Sequence, residues 1–294
     1  MATLERPDGS RLFYRLVGPA ADRSPGLADA TGIDQPRGQS NSQSESPSRR
    51  QANDAPALLF VHGWCSNHTH WIHQTRHFRR RHQVLLVDRR GHGKSTTSGT
   101  GHDATTHAAD LLAVVRAAGL KSVVAIGHAG GGAGTLEFIR ANPRLVRAGV
   151  LVDTGLYPLP VLNSPESPFG AIVGGMITAL EGRGAKAAFR RMYGAYFDPR
   201  GDRDAAARAV AEAAATPDAV KIAELHGMMV DTAAIAAGIR QPILWLTAAQ
   251  APQAFIAKHL RKVGFAQVYG AHHFPHFEQP AQTNAAIDAF LARL

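Results

Sequence analysis

The chain has a single cysteine, Cys65, among 294 residues. An internal disulfide is therefore excluded, and a cytoplasmic location is the expectation. Lysine is scarce: six Lys stand against 26 Arg, and the formal charge of +9 comes mostly from arginines scattered along the chain. The densest run, Arg76, Arg79, Arg80 and Arg81, lies on a helix predicted over 70–81 and ending at His82. No recognisable binding module accompanies it, so it reads as a solvated face and not as a nucleic-acid surface. Long apolar runs are missing as well. The stretch near 171–180 is too short and too glycine-rich to span a bilayer, and Met1 to Leu16 is charged throughout, unlike a signal peptide. Gly93-Lys94-Ser95 imitates the end of a phosphate loop, but Asp88 stands where that loop needs glycine, which excludes nucleotide binding. His70, His73 and His77 share a helical face with no Asp, Glu or Cys beside them, and are expected to be an exposed stripe that holds no metal.

What is present is an alternation of strands and helices. Thr3 to Val17 reads as two short strands turning at Pro7-Asp8-Gly9, the antiparallel edge of a sheet. Residues 19–56 are Ser-, Gln-, Asn-, Pro- and Arg-rich and are expected to be a disordered insertion. Ala57 to Val61 and Val84 to Val87 are continuous apolar runs suited to buried parallel strands. Ala104 to Ala118 has helical periodicity, and Ala148 to Val152 is a further strand that delivers Asp153 at its end. Residues 155–238 break the alternation with Ala-rich helical stretches and read as a helical cap. Strand Pro242 to Thr247, a helix over 254–263, a strand from Phe265 to Tyr269 and a closing helix from Ala281 resume it. The chain thus divides into core 1–154, cap 155–238 and core 239–294, an α/β fold with a mostly parallel sheet and helices on both faces.

The organising stretch is Val123 to Gly132: a β-branched run, a glycine-rich turn, then a helix. It has the frame of a nucleophile elbow, G-x-S-x-G, with glycines for the close approach of strand and helix. Its centre is Ala129, so the expected hydroxyl is absent. Taken in order, HGW at 62–64, DRRGHGKS at 88–95, GHAGG at 127–131 and HHFPHFEQP at 272–280 resemble the α/β-hydrolase fold superfamily. The resemblance implies that Ala129 takes the nucleophile's place and that the backbone N–H groups of Trp64 and Gly130 form an oxyanion site. It implies His273 as general base, with His272 and His276 as exposed or packing neighbours. Many members carry the acid after the penultimate strand, where Thr247 to Gln253 holds no carboxylate, so the acid is assigned to Asp153. Cys65, off the elbow, is not expected to act as a nucleophile. In the cap, Phe169, Met176, Met192, Tyr193, Tyr196, Phe197, Met228 and Met229 are candidates for an apolar pocket wall.

Three accounts of Ala129 follow. The first is a hydrolase of apolar or aromatic esters or lactones whose nucleophile position holds alanine, leaving this form nearly inactive. The second is an enzyme that needs no nucleophile, similar to the cofactor-free dioxygenases of this fold that use a His–Asp dyad. The third is a non-catalytic receptor for a small molecule. None implies a cofactor, and each implies a small apolar or aromatic ligand, no nucleic acid, no membrane, and a monomer or homodimer.

Overall fold

The structure is a computed structural model that describes residues 1–19, 55–158 and 167–294. Nearly all of the segment expected to be disordered, and residues 159–166 of the predicted cap, lie outside the described residues. A single eight-stranded sheet runs through the described residues in the order β1-β2-β4-β3-β5-β6-β7-β8. Its strands are β1 (Ala2–Glu5), β2 (Arg11–Val17), β3 (Ala57–Val61), β4 (Val84–Val87), β5 (Val123–His128), β6 (Val146–Val152), β7 (Ile243–Thr247) and β8 (Val263–Gln267). β1 pairs antiparallel with β2, and β2 with β4; every other pairing is parallel. β3, β5 and β7 are buried along their whole length, as the unbroken apolar runs require for strands covered on both faces. One core packs Leu59, Leu85, Ala125, Leu136, Leu151 and Trp245 on one side of the sheet. The other packs Leu58, Phe60, Val124, Ile126, Val150 and Leu244. Successive residues of each strand therefore serve opposite faces, the period-2 pattern of a sheet.

Helices α1 (Ile72–Phe78), α2 (Ala104–Ala117), α3 (Gly132–Ala141), α9 (Gln253–His259), α10 (Pro275–Glu278) and α11 (Pro280–Leu291) flank the sheet. Between β6 and β7 lie α4 (Pro168–Glu181), α5 (Ala185–Gly194), α6 (Arg203–Ala214), α7 (Asp218–Gly227) and α8 (Thr232–Ala237). Four helix starts are set by side-chain caps: Asp103, Ser167, Asp202 and Asp231 each accept from the backbone N–H three residues on. The helices after β6 close on a third apolar cluster containing Trp64, Phe189, Tyr193, Leu225 and Phe274.

Three expectations need correction. Helix α9 stops at His259 and β8 begins at Val263, earlier than the periodicity suggested. Leu260 turns extended and buries itself, and Val263 pairs with Ile243, so ladder bonding and burial override the helical pattern. The helix predicted over 70–81 is a 3₁₀ turn at His68–Trp71 followed by α1, and Arg79, Arg80 and Arg81 lie beyond it, exposed. The histidines on it are not an exposed stripe. His70 is buried against Phe274 and Phe277, His73 is half-buried against Phe277, and His77 pairs with Asp288 at 2.6 Å.

Candidate active site

The C-terminal ends of β3, β5 and β6 converge beneath the helices that follow β6, as expected for ligand sites in open α/β sheets. At the end of β5 the chain turns on Ala129, whose φ of +44° is left-handed. Only two other non-glycine residues share such a conformation among the described residues, Cys65 at +54° and Asp153 at +46°. Ala129 and Asp153 end β5 and β6 on one cavity, while Cys65 follows the loop after β3, and a strained residue of this kind costs about 1–3 kcal/mol. Two elbow glycines explain how the turn closes. A Cβ at Gly127 would run into Thr135 of α3, and one at Gly131 into the carbonyl of His62.

His273, on the loop between β8 and α10, presents Nδ1 to Asp153 Oδ2 at 2.7 Å. The other carboxylate oxygen accepts from the Ala248 N–H at 3.1 Å. The turn after β7 that lacks a carboxylate thus supplies a backbone donor to the one carried by β6. The backbone of His273 is held on both sides. Its N–H donates to the Tyr196 carbonyl at 3.1 Å, and its own carbonyl lies 2.8 Å from Nε2 of His128. That contact makes Nε2–H the donor on His128, whose ring is fully buried and pushed by burial well below the ordinary histidine value. His272 points elsewhere: exposed, it lines a separate surface depression with Asp198 and Pro199. His276 is buried, its ring 4.1 Å from that of Trp71.

The HGW loop is fixed from two directions. His62 donates from Nδ1 to the Gly63 carbonyl at 2.8 Å and accepts the Arg89 N–H at Nε2 at 2.9 Å. Trp64 is buried, with its indole N–H donating to the Lys221 carbonyl at 3.0 Å. A Cβ at Gly130 would lie 3.2 Å from the Trp64 nitrogen, so the backbone of Gly130 passes close to the Trp64 amide. The N–H of neither residue is taken by another group among the described residues. Cys65, next to this loop, is buried, and burial pushes its thiol well above the ordinary range, which removes it as a nucleophile at neutral pH.

A cavity of about 180 Å³ joins these parts, lined by Trp64, Ala129, Gly130, Asp153 and His273 on the sheet side. Phe169, Met176, Tyr193, Tyr196 and Met228 line its other wall. Met192, Phe197 and Met229 do not: Met192 on α5, and Phe197 and Met229 just beyond the ends of α5 and α7, pack into the apolar cluster behind the wall. Ile172, Val173 and Leu225 line it unanticipated, as ordinary aliphatics carry no signal that separates wall from core. The hydroxyl of Tyr193 lies 2.9 Å from Ser66 Oγ, tying the HGW loop to α5. Tyr193→Phe is expected to destabilise the fold by about 1 kcal/mol in urea unfolding, since Ser66 would lose its short bond. An unchanged midpoint would show that the pair contributes nothing.

The remaining motif is structural. Asp88 accepts from the backbone N–H groups of His68 at 2.7 Å and Lys94 at 2.9 Å, so its carboxylate fills the loop that a phosphate would occupy. Arg89 pairs with Glu224 of α7, whose carboxylate also bonds His102 at 2.9 Å and lies 2.8 Å from Nε2 of His107. Burial alone would raise Glu224, but Arg89 and His107 beside it hold it well below the carboxylate range. The ligand atoms of His102, His107 and Glu224 lie within 4.8 Å of one another, a spacing that could hold a cation. The Arg89 guanidinium bonds both His107 and Glu224, so a cation there would face a fixed positive charge. No described helix is long and apolar enough to cross a membrane.

Residues 58–286 match the model of the alpha/beta hydrolase family. The chain is 37% identical over 172 residues to a non-heme chloroperoxidase of Streptomyces lividans, covering 58% of this chain and 50% of that protein. It is 35% identical over 118 residues to a bifunctional esterase/perhydrolase of Acinetobacter calcoaceticus, covering 40% of this chain and 42% of that protein. These matches span half or less of the length of the curated relatives. Among solved structures, the enol-lactonase from Burkholderia xenovorans superposes with a TM-score of 0.75 at 16% identity, over 97% of each chain. A likeness that distant speaks for the fold alone, but the family match spans most of the sequence and every element that builds the site: the chain belongs to the alpha/beta hydrolase family.

Proposed function

We propose that this site is built for acyl transfer to water on a compact apolar ester or lactone, and that Ala129 stands where such a reaction needs its nucleophile. The observation that carries the reading is the 2.7 Å contact of His273 with Asp153, on the same cavity as Ala129 and the paired amides of Trp64 and Gly130. A relative named as a bifunctional esterase/perhydrolase supports the same chemistry. With serine at 129, Oγ attacks the carbonyl carbon while His273 takes its proton at Nε2, and Asp153 stabilises the imidazolium. The oxygen that becomes negative accepts from Trp64 and Gly130, at about 3–4 kcal/mol per donor in comparable sites. His273 then protonates the departing alcohol, and a water, activated by the same base, releases the acid. The apolar wall and a cavity of about 180 Å³ favour a short acyl chain or a single ring over a sugar or phosphate.

Loss of the serine in a worked triad costs about 10⁶ in kcat. Hydrolysis of p-nitrophenyl acetate and butyrate is therefore expected to be close to background for this chain and to rise by several orders of magnitude on Ala129→Ser, with a burst of acyl-enzyme. Serine adopts the same φ without added strain beyond that already borne by Ala129. An Ala129→Ser chain that folds and shows neither burst nor turnover on esters or lactones would sink the reading.

A further inference from the structure

The wall around Ala129 holds a base and an anion site but nothing that attacks. Nδ1 of His273 is engaged by Asp153, whereas its Nε2 has no partner among the described residues and the ring borders the cavity. The Trp64 amide lies against the backbone of Gly130, and both residues line the same cavity. Ala129 adds only a methyl group, and Ala133, Met228 and Phe274 beside it on the wall are apolar. Two threonines of the lining direct their hydroxyls to backbone carbonyls, Thr154 to Val152 and Thr232 to Tyr157. Tyr157 and Tyr196 also line the cavity, but burial pushes their phenols above the ordinary value, which leaves His273 as the base that faces a bound ligand here. A bound carbonyl compound needs no third reactant if the bond that breaks is its own C–H bond.

We propose that the chain as it stands, with Ala129, catalyses proton transfer at carbon on compact carbon acids, unsaturated lactones or ketones. The proposal rests on the same dyad and amide pair as the hydrolase reading but on no nucleophile. His273 Nε2 takes the proton from the carbon next to the carbonyl. The C–H electron pair moves into the carbonyl system, and the oxygen, now an enolate, accepts hydrogen bonds from Trp64 and Gly130, which serve an enolate as they would a tetrahedral oxyanion. Asp153 stabilises the imidazolium meanwhile. In a β,γ-unsaturated lactone the imidazolium, whose Nε2 proton exchanges with solvent, then delivers a proton to the γ carbon, giving the conjugated isomer with no net atom gained or lost and no oxidant or cofactor required. Serine at 129 would divert such a ligand toward acylation, so alanine is the residue that suits this reaction.

The test is incubation of the unmodified chain with α-angelica lactone in D₂O, followed by ¹H NMR. Conjugated isomer carrying deuterium is expected about 10²-fold above the buffer rate, the ordinary range of positioned acid–base catalysis. His273→Gln is expected to return the rate to that of buffer while its melting temperature shows it folded. If His273→Gln does not fold, Asp153→Asn is expected to give the same loss, through the wrong imidazole tautomer. A rate for the unmodified chain equal to buffer, or one that survives in a folded His273→Gln chain, overturns the proposal. Hydrolysis gives a different product, levulinate. Levulinate from Ala129→Ser without isomerisation by the unmodified chain overturns this inference and leaves the hydrolase reading standing. Isomerisation without levulinate does the reverse.

Discussion

Asp153→Asn, introduced into the Ala129→Ser chain, is expected to lower kcat for ester hydrolysis about 10⁴-fold, with little change in KM or melting temperature. The carboxylate uses both oxygens: Oδ2 faces His273 Nδ1 and Oδ1 accepts the Ala248 N–H. An asparagine has one acceptor oxygen. The fixed backbone donor of Ala248 claims it, which leaves the amide NH₂ facing Nδ1. The imidazole must then carry its proton on Nε2, where it cannot accept one from the serine. Because the loop carrying His273 is held separately by His128 and by the Tyr196 carbonyl, its backbone stays in place and the loss is confined to the chemical step. Burst kinetics and a melting curve check both halves of the expectation. Full activity in Asp153→Asn would move the acid elsewhere.

Acidification is expected to unfold the protein at mild pH. Six histidines, His62, His70, His92, His107, His128 and His276, are buried, and burial is the main cause that lowers each below the ordinary value of 6.5. His70 and His92 come down to about 4. Below pH 6.5 the unfolded chain binds protons at these positions while the folded chain does not. Stability therefore falls as the pH drops through 6.5 and keeps falling until the folded values are reached. Each such histidine contributes up to about 1.4 kcal/mol per pH unit in that window. Several acting together are enough to exhaust the roughly 5–15 kcal/mol of a typical domain between about pH 4 and 5.5. Glu224 adds to this only at lower pH, because its folded value lies well below the carboxylate range. Circular dichroism against pH is the measurement, and a signal flat down to pH 4 would contradict it. His70→Phe is the sharper probe. Neither ring nitrogen of His70 has a partner among the described residues, and the ring packs against Phe274 and Phe277. A phenylalanine there is expected to flatten the pH slope by one proton.

The local chemistry of the chain determined the strands, the elbow and the order of the motifs by itself. A β-branched apolar run of four to seven residues bounded by turn residues is too short for a typical buried helix and pairs its backbone in a sheet, and Gly127 and Gly131 leave space that no other residue would. Spacing of this kind acts within a few residues, so it is written in the sequence. It could not say that Ala248, in a turn with no carboxylate, donates to Asp153, because the two are 95 residues apart and meet only through the pairing of β6 with β7. His128 read as the unspecified position of a motif, yet its ring holds the carbonyl of His273 from 145 residues away. Glu278 stood only as one letter of the motif at 272–280, while its carboxylate accepts the N–H groups of His272 and Asp198 and joins the loop of His273 to the segment after α5. Met192 and Tyr193 are adjacent in the chain and similar in apolar character, but one turns into the cluster behind the cavity wall and the other onto the wall. Which of them meets a ligand depends on how the helices after β6 pack against one another, and that packing is settled by contacts distant in sequence. Local geometry is carried by neighbouring residues and survives in any short stretch; the partners of a side chain are chosen by the whole fold.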